Sequence, residues 1–142
     1  MSATATFLAP EIETDVALAT AKRLHPSYKA RVIIESPFAA PSKNALGLNQ
    51  LYGRAALRDS LLRGEAPMAS HMLYAQTFVL DDTNPVEREL GMLAGFTWLP
   101  LVDRVVVYTD RGISRGMEEG IRRAKELGVT VEERSIPGWE RG

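Results

Sequence analysis

The chain has 142 residues, 45% of them apolar and 25% charged, which is the size and composition of one ordinary globular domain. Its 17 basic residues balance 18 acidic ones, so no bulk positive charge is available to hold a nucleic-acid backbone, and we expect no polymeric DNA or RNA partner. It has no cysteine, no apolar run of about 20 residues and no basic, apolar leader, so we expect a single cytoplasmic domain over residues 1–142 with no membrane partner.

The first predicted elements are a loose arm, a short helix and a buried strand. Residues 1–12 show no sustained periodicity. Thr14 or Asp15 can cap a helix that ends near Leu24, ahead of a proline. Residues 31–36 form an apolar run that is too continuous for a surface strand, which predicts a strand covered on both faces and ended by Pro37.

A second helix is predicted over residues 44–63, and Gly64 follows as its stop. Its apolar side chains fall on one face at helical spacing, and they are Leu48, Leu51, Ala55 and Leu62. Residues 67–74 are predicted to form the next strand. Their β propensity is moderate, but a strand here keeps strands and helices in alternation.

A third helix is predicted to begin where Asn84, Pro85 and Glu87 supply a cap, a first-turn proline and a third-position acid. Its predicted buried stripe is Val86, Leu90 and Leu93.

The carboxyl-terminal part carries the clearest strand, over residues 103–108. Ser114 begins a helix that Gly128 ends, with a shared face of Met117, Ile121 and Ala124. The last strand covers residues 129–134. Residues 137–142 are expected to form a loose tail unless Trp139 folds back onto the body.

Alternating strands and helices predict an α/β three-layer sandwich with a central parallel sheet, because the strand-helix-strand unit accepts essentially one handedness. With four strands, the expected order is 2-1-3-4, as in Rossmann or flavodoxin-like folds. The winding direction reverses between the first and third strands, which opens a ligand crevice at their carboxyl ends.

The residues that follow the strands are the candidate ligand-binding residues: Ser36, Pro37, Phe38, Ser70, His71, Asp110, Ser114, Gly116 and Met117, with Asn44 on the second helix. Ser114 offers a hydroxyl beside unpaired N–H groups and Gly116 allows close approach, so a phosphate suits that helix start. Asp110 can accept hydrogen bonds from ribose hydroxyls, and Phe38 can stack on a base.

Each of these residues also has an ordinary structural explanation. Ser114 can simply cap its helix, and Asp110 can form a turn beside a glycine. Phe38 can pack in the core, and His71 can be a hydrogen-bonded scaffold residue. No metal-ligand spacing is present, so we expect neither a metal nor a cofactor.

At these motifs the chain resembles the nucleoside 2-deoxyribosyltransferase-like superfamily, which includes deoxynucleoside-monophosphate N-glycosidases. The resemblance covers about residues 31–134 and is carried by Ser36-Pro37-Phe38, by residues 69–71 and 103–108, and by residues 114–117 and 121–124. Residues 80–91 and 112–117 are also similar to uncharacterised small bacterial and bacteriophage proteins, which bring no known activity.

The resemblance implies cleavage or exchange of the bond between a base and a 2-deoxyribose. Its nucleophilic glutamate would stand four residues after Gly116, where this chain has Gly120. The candidate carboxylates are therefore Asp81, Asp82 and Glu119, and Asp110 and Glu118 are further alternatives. Glu119 is one position before Gly120, which turns its side chain by about 100 degrees away from the pocket unless the helix register differs.

The expected function is that of a nucleoside or nucleotide N-glycosidase or deoxyribosyltransferase-like enzyme. The alternatives are a binding protein that holds a nucleotide-like ligand without chemistry, and a structural subunit with an idle fold. The resemblance also implies a homo-oligomer, for which residues 96–101 offer an apolar contact surface, although core packing explains that stretch equally well.

Overall fold

The computed structural model describes residues 30–139 and, apart from these, Ala19. The predicted arm and first helix, and residues 140–142, lie outside the described residues. The described elements are β1 (Arg31–Glu35), α1 (Lys43–Leu62), β2 (Ala66–Met68), α2 (Ser70–Tyr74), α3 (Pro85–Phe96), a 3₁₀ turn (Leu99–Leu101), β3 (Arg104–Tyr108), α4 (Arg115–Glu126) and β4 (Thr130–Arg134). In this part of the chain no helix has both the length and the apolar character needed to cross a bilayer.

The four described strands form one parallel sheet in the order β2-β1-β3-β4, which confirms the predicted α/β class and strand order. In the central pair, Ile33 lies beside Val105 and Glu35 beside Val107. Because all strands run the same way, the residues after β1 and β3 meet at one edge of the sheet.

Alternation along the two central strands divides the core into two clusters. One cluster lies on the α1 side and includes Val32, Ile34, Val106 and Tyr108. The other lies on the α4 side and includes Ile33, Val105, Val107, Met117 and Ala124. The central strands are therefore covered on both faces, as their continuous apolar runs predicted.

The buried face of α1 differs from the predicted one. Of Leu48, Leu51, Ala55 and Leu62, only Ala55 is buried, and the buried face includes Asn49, Tyr52, Ala56 and Ser60. Three of these four are polar, and each donates a hydrogen bond: to the Phe38 carbonyl, to Asp110 and to Glu65, respectively. A pattern of apolar residues cannot identify a face whose side chains are buried through hydrogen bonds.

The buried stripe predicted for α3 is wrong, although the helix starts where predicted. The Asn84 side chain accepts from the N–H groups of Val86 and Glu87 and so caps the helix. Val86, Leu90 and Leu93 are 79%, 58% and 44% exposed. The helix turns another face inward because Gly95 is buried against α2, where a Cβ would come 2.8 Å from the Ser70 Cβ.

The second predicted strand is also corrected. It stops at Met68, and the following residues, predicted as strand, form α2 from Ser70 to Tyr74. β2 is a short edge strand that contains Pro67, which has no N–H to donate to a ladder. Ser70 and His71 therefore lie in the first turn of a helix and not on a strand.

The end of the described chain returns to the body, which is the alternative that the sequence left open for Trp139. Its ring meets Tyr52 of α1 edge-on, with 4.7 Å between ring centroids. Ile136 is buried in the same cluster.

A buried ion pair ties the two outer strands together across the sheet. Glu65, just before β2, accepts two hydrogen bonds from Arg134 of β4, at 2.5 and 2.7 Å. It also accepts from Arg104 at 2.6 Å and from Ser60 at 2.8 Å. Burial by itself raises the pKa of Glu65, but these hydrogen bonds outweigh it and lower the pKa from 4.5 to about 2.

We expect Glu65→Gln to lower the free energy of unfolding at pH 7 by about 3 kcal/mol, because the buried Arg134 then keeps only the partly exposed Glu132 as a counter-charge. The pKa of Glu65 is depressed in the folded state, so its contribution is present above pH 4.5 and lost as pH falls toward 2. Urea unfolding of wild type and Glu65→Gln between pH 7 and pH 2.5 measures both the loss at pH 7 and its dependence on pH.

The matched control is Glu126→Gln, which alters an exposed i,i+4 pair with Arg122 and should change stability little. If the difference in unfolding free energy between wild type and Glu65→Gln is the same at every pH from 7 to 2.5, the ionised Glu65 carboxylate does not supply the stabilisation assigned to it.

Candidate functional site

A pocket of about 280 Å³ lies at the carboxyl ends of β1 and β3. Its walls come from the end of β1, the start of α2, one side of α3 and the start of α4. Eight of the residues predicted to act in a site line it: Ser36, Phe38, Ser70, His71, Asp82, Ser114, Gly116 and Met117. The fold therefore brings the exit of β1 and the start of α4 to one cleft.

Five other predicted residues lie outside this pocket. Pro37 is buried without lining it, and Asn44 is exposed in the first turn of α1. Asp110 points to the α1 side of the sheet, where its carboxylate accepts from the Tyr52 hydroxyl at 2.7 Å and from the Ile136 N–H at 2.8 Å. This carboxylate holds the chain end in place.

The other two are the carboxylates Asp81 and Glu119. Asp81 is exposed and accepts from the hydroxyl and the N–H of Thr83, which lower its pKa. Glu119 accepts from Arg122 and Arg123, and these hydrogen bonds lower its pKa. Both carboxylates thus accept hydrogen bonds from residues two to four positions further along the chain, outside the pocket.

One end of the pocket is suited to an anion. Ser114 caps α4, and its hydroxyl accepts from the Met117 N–H at 3.3 Å. The first N–H groups of a helix have no intrahelical acceptors and carry partial positive charge. Arg88 and Arg115 line the same pocket, and a terminal nitrogen of Arg88 lies 3.6 Å from the place where a Cβ on Gly116 would stand. The sequence analysis did not assign either arginine to the pocket.

A polar pair forms another wall. The Ser36 hydroxyl and the His71 Nε2 are 2.7 Å apart. Burial lowers the pKa of His71 from 6.5 to about 4, so the imidazole is neutral at pH 7. The Phe38 ring stands edge-on to His71, with 6.2 Å between centroids. This wall combines an aromatic ring with neutral hydrogen-bonding groups.

Glu35, the last residue of β1, was not among the predicted site residues. It lines the pocket, and its carboxyl group has no hydrogen bond or ion pair within the described part of the chain. Burial raises its pKa from 4.5 to about 8. An acidic residue at the end of an otherwise apolar, buried run is the signal that could have identified it.

The Glu35 carboxyl lies against α4 at Gly120. A Cβ built on Gly120 would stand 2.7 Å from Cδ and 3.2 Å from Oε1 of Glu35, and still closer to Oε2. Positions 35 and 120 therefore project into the same volume, and a side chain at position 120 would require the Glu35 carboxyl group to move from its place.

Asp82 is the second carboxyl group of the pocket. Burial raises its pKa, and Arg88, 3.5 Å away, partly offsets the increase. Within residues 30–139 there is no cluster of three or more histidine or acidic side chains that could hold a metal ion. The charged and polar groups that the pocket offers for chemistry include its two carboxyl groups, its arginines and the start of α4.

The comparisons with known proteins concern the same part of the chain. Neither the curated proteins nor the solved structures include a match. A family model described as a domain of unknown function, DUF7768, matches residues 30–134, which span the whole sheet and every wall of the pocket. The chain belongs to the DUF7768 family.

Proposed function

We propose that this protein is a cytoplasmic enzyme that cleaves or transfers the N-glycosidic bond of a small phosphorylated nucleoside. The observation that carries the proposal is the arrangement of the pocket. A helix start with two arginines lines the pocket together with Glu35, whose carboxyl group has no partner among the described residues. A phosphate and a reacting sugar need these two features in one cavity.

The phosphate is proposed to bind at the start of α4. The N–H groups after Ser114 and the guanidinium groups of Arg88 and Arg115 supply donors and positive charge. A Cβ on Gly116 would stand in van der Waals contact with the Arg88 guanidinium group, at 3.6 Å, so the glycine leaves that position beside the arginine to a ligand atom. The base is proposed to lie against Phe38 and the Ser36–His71 pair, which offer a ring face and neutral hydrogen-bonding groups.

Glu35 is proposed to be the nucleophile. Its carboxylate attacks the sugar carbon, the carbon–nitrogen bond breaks, and the bonding electrons leave with the base, which takes up a proton. Water or a second base then releases the sugar from Glu35. The enzymes that this chain resembles have their nucleophilic glutamate at the position of Gly120, and the carboxyl group in that volume here belongs to Glu35.

The second candidate is a binding protein that holds the same ligand without turnover. One observation favours it, namely that the pKa of Glu35 is raised to about 8, so the carboxyl group is mostly protonated and a poor nucleophile at pH 7. Both candidates require the same pocket, so turnover has to distinguish them.

We expect the purified protein to release free base from at least one deoxynucleoside monophosphate. The protein is incubated with nucleosides, nucleoside monophosphates and larger nucleotides at pH 7 and pH 9. Binding is followed by the shift in Tm, and the products are separated by chromatography. A thermal shift without released base at either pH would support the binding protein. If no compound of the panel causes a thermal shift or releases base, both candidates are contradicted.

Glu35→Gln should lower kcat roughly a thousandfold or more, because the amide cannot attack the sugar carbon. In the wild type, kcat/KM should rise about tenfold per pH unit and level off above pH 8, where Glu35 is ionised. Glu126→Gln, at the far end of α4, should leave the rate unchanged. A rate that falls as pH rises through 8 would make Glu35 a proton donor and contradict the nucleophilic role.

The same variant should be more stable than the wild type, which separates lost chemistry from lost folding. Glu35 holds its proton up to about pH 8 in the folded state but only up to 4.5 when unfolded, so its raised pKa reduces wild-type stability as pH rises between these values. Thermal unfolding should therefore show a higher Tm for Glu35→Gln at pH 8 and nearly equal Tm values at pH 4.

Ser114→Ala should weaken phosphorylated ligands about tenfold and their unphosphorylated nucleosides less than twofold, because the change acts at the proposed phosphate site. The matched control is Ser42→Ala, which removes the equivalent cap from α1 outside the pocket. Calorimetric titration of both variants measures the difference. Equal weakening of the two ligand classes by Ser114→Ala would place the phosphate elsewhere.

A further inference from the structure

We infer that Gly120 is a positioning residue, which admits the Glu35 carboxyl to the pocket, and that the pocket can receive this carboxyl from either β1 or α4. The inference deepens the proposed function and rests on it for its activity readout. The geometry behind it, one volume shared by positions 35 and 120, does not depend on that function.

A glycine at this position of α4 requires a packing reason. Gly120 lies in the interior of a 12-residue helix, where glycine is about 1 kcal/mol less favourable than alanine. The three atoms nearest to a Cβ on Gly120 all belong to the Glu35 carboxyl group. Gly47, in α1, gives the contrast, because a Cβ there would meet no atom within 4 Å.

Glu35 cannot yield to a side chain at position 120 by moving its backbone. It is paired with Val107 in the central ladder of the sheet. A methyl group on α4 would therefore displace the carboxyl group itself, and the pocket is the open space beside it. The displaced carboxyl would occupy volume that the ligand needs.

The geometry also works in the opposite direction. The Cα–Cβ bonds of a helix tilt toward its first residue, so a side chain at position 120 leans toward the start of α4, which is the anion-binding end of the pocket. With a small residue at position 35, a glutamate at position 120 would enter the vacated space and present its carboxyl group to the same cavity.

A double-mutant cycle tests the shared volume without reference to activity. The proteins are wild type, Gly120→Ala, Glu35→Ser and the double variant Glu35→Ser/Gly120→Ala. We expect Gly120→Ala to raise Tm slightly when residue 35 is serine, where only helix propensity remains, and to affect Tm less favourably when Glu35 is present, because the carboxyl group must then move aside. Gly47→Ala should raise Tm in both backgrounds. Equal effects of Gly120→Ala in the two backgrounds would overturn the inference.

Moving the carboxyl group from position 35 to position 120 tests the second part of the inference, that the pocket can receive this group from α4. Glu35→Ser should release base at least about a hundredfold more slowly than wild type, and Glu35→Ser/Gly120→Glu should recover at least tenfold of that loss. Glu35→Ser/Gly120→Gln, which fills the space without a carboxylate, should recover nothing. If the wild type releases no base, the proposed function is refuted. The double-mutant cycle in Tm would still show whether the side chains at positions 35 and 120 compete for one volume. If the wild type releases base but Glu35→Ser/Gly120→Glu recovers none of the activity lost in Glu35→Ser, only the claim that α4 can supply the carboxyl group is refuted.

Discussion

Side-chain alternation along β1 is the constraint on which the site depends. The strand is central and covered on both faces, so each of its side chains must be accommodated in one of two layers. Val32 and Ile34 take the α1 side, and Ile33 takes the α4 side. The same alternation sends Glu35 to the α4 side, where Gly120 leaves room for its carboxyl group. A parallel ladder and one glycine thus position the carboxyl without any hydrogen bond.

The surroundings of Glu35 and Glu65 explain why burial raises the pKa of one carboxyl group while the pKa of the other falls. Glu65 is buried with two arginines and a serine hydroxyl, so burial is more than compensated and its pKa falls to about 2. Glu35 has no compensating partner in the described part of the chain, so burial raises its pKa to about 8. An uncompensated carboxyl costs stability near neutral pH, and such a cost is typical of residues kept for chemistry.

The sequence predicted the sheet and the buried face of α4 well, but it predicted the buried faces of α1 and α3 poorly, and the reason is physical. Strands buried on both faces are continuous apolar runs, so residues 31–36 and 103–108 were readable directly, and the alternation of elements then implied their order. The inner face of α1 is partly polar and that of α3 contains glycine, and neither is visible to a search for apolar stripes. The position of Glu35 at the end of an apolar run is visible in the sequence, but its contact with Gly120 exists only in the folded chain.

The two faces of the sheet have separate tasks, which explains where Asp110 lies. On the α1 side, the Asn49 side chain donates to the Phe38 carbonyl and accepts from Arg111, so one amide joins the segments that follow β1 and β3. Tyr52 and Asp110 reinforce the same junction and hold the returning chain end. The polar residues of this face therefore keep the two segments at a fixed separation. The pocket lies on the α4 side, where Glu35 and the start of α4 line it, so the polar contacts that join the two segments do not occupy the cavity.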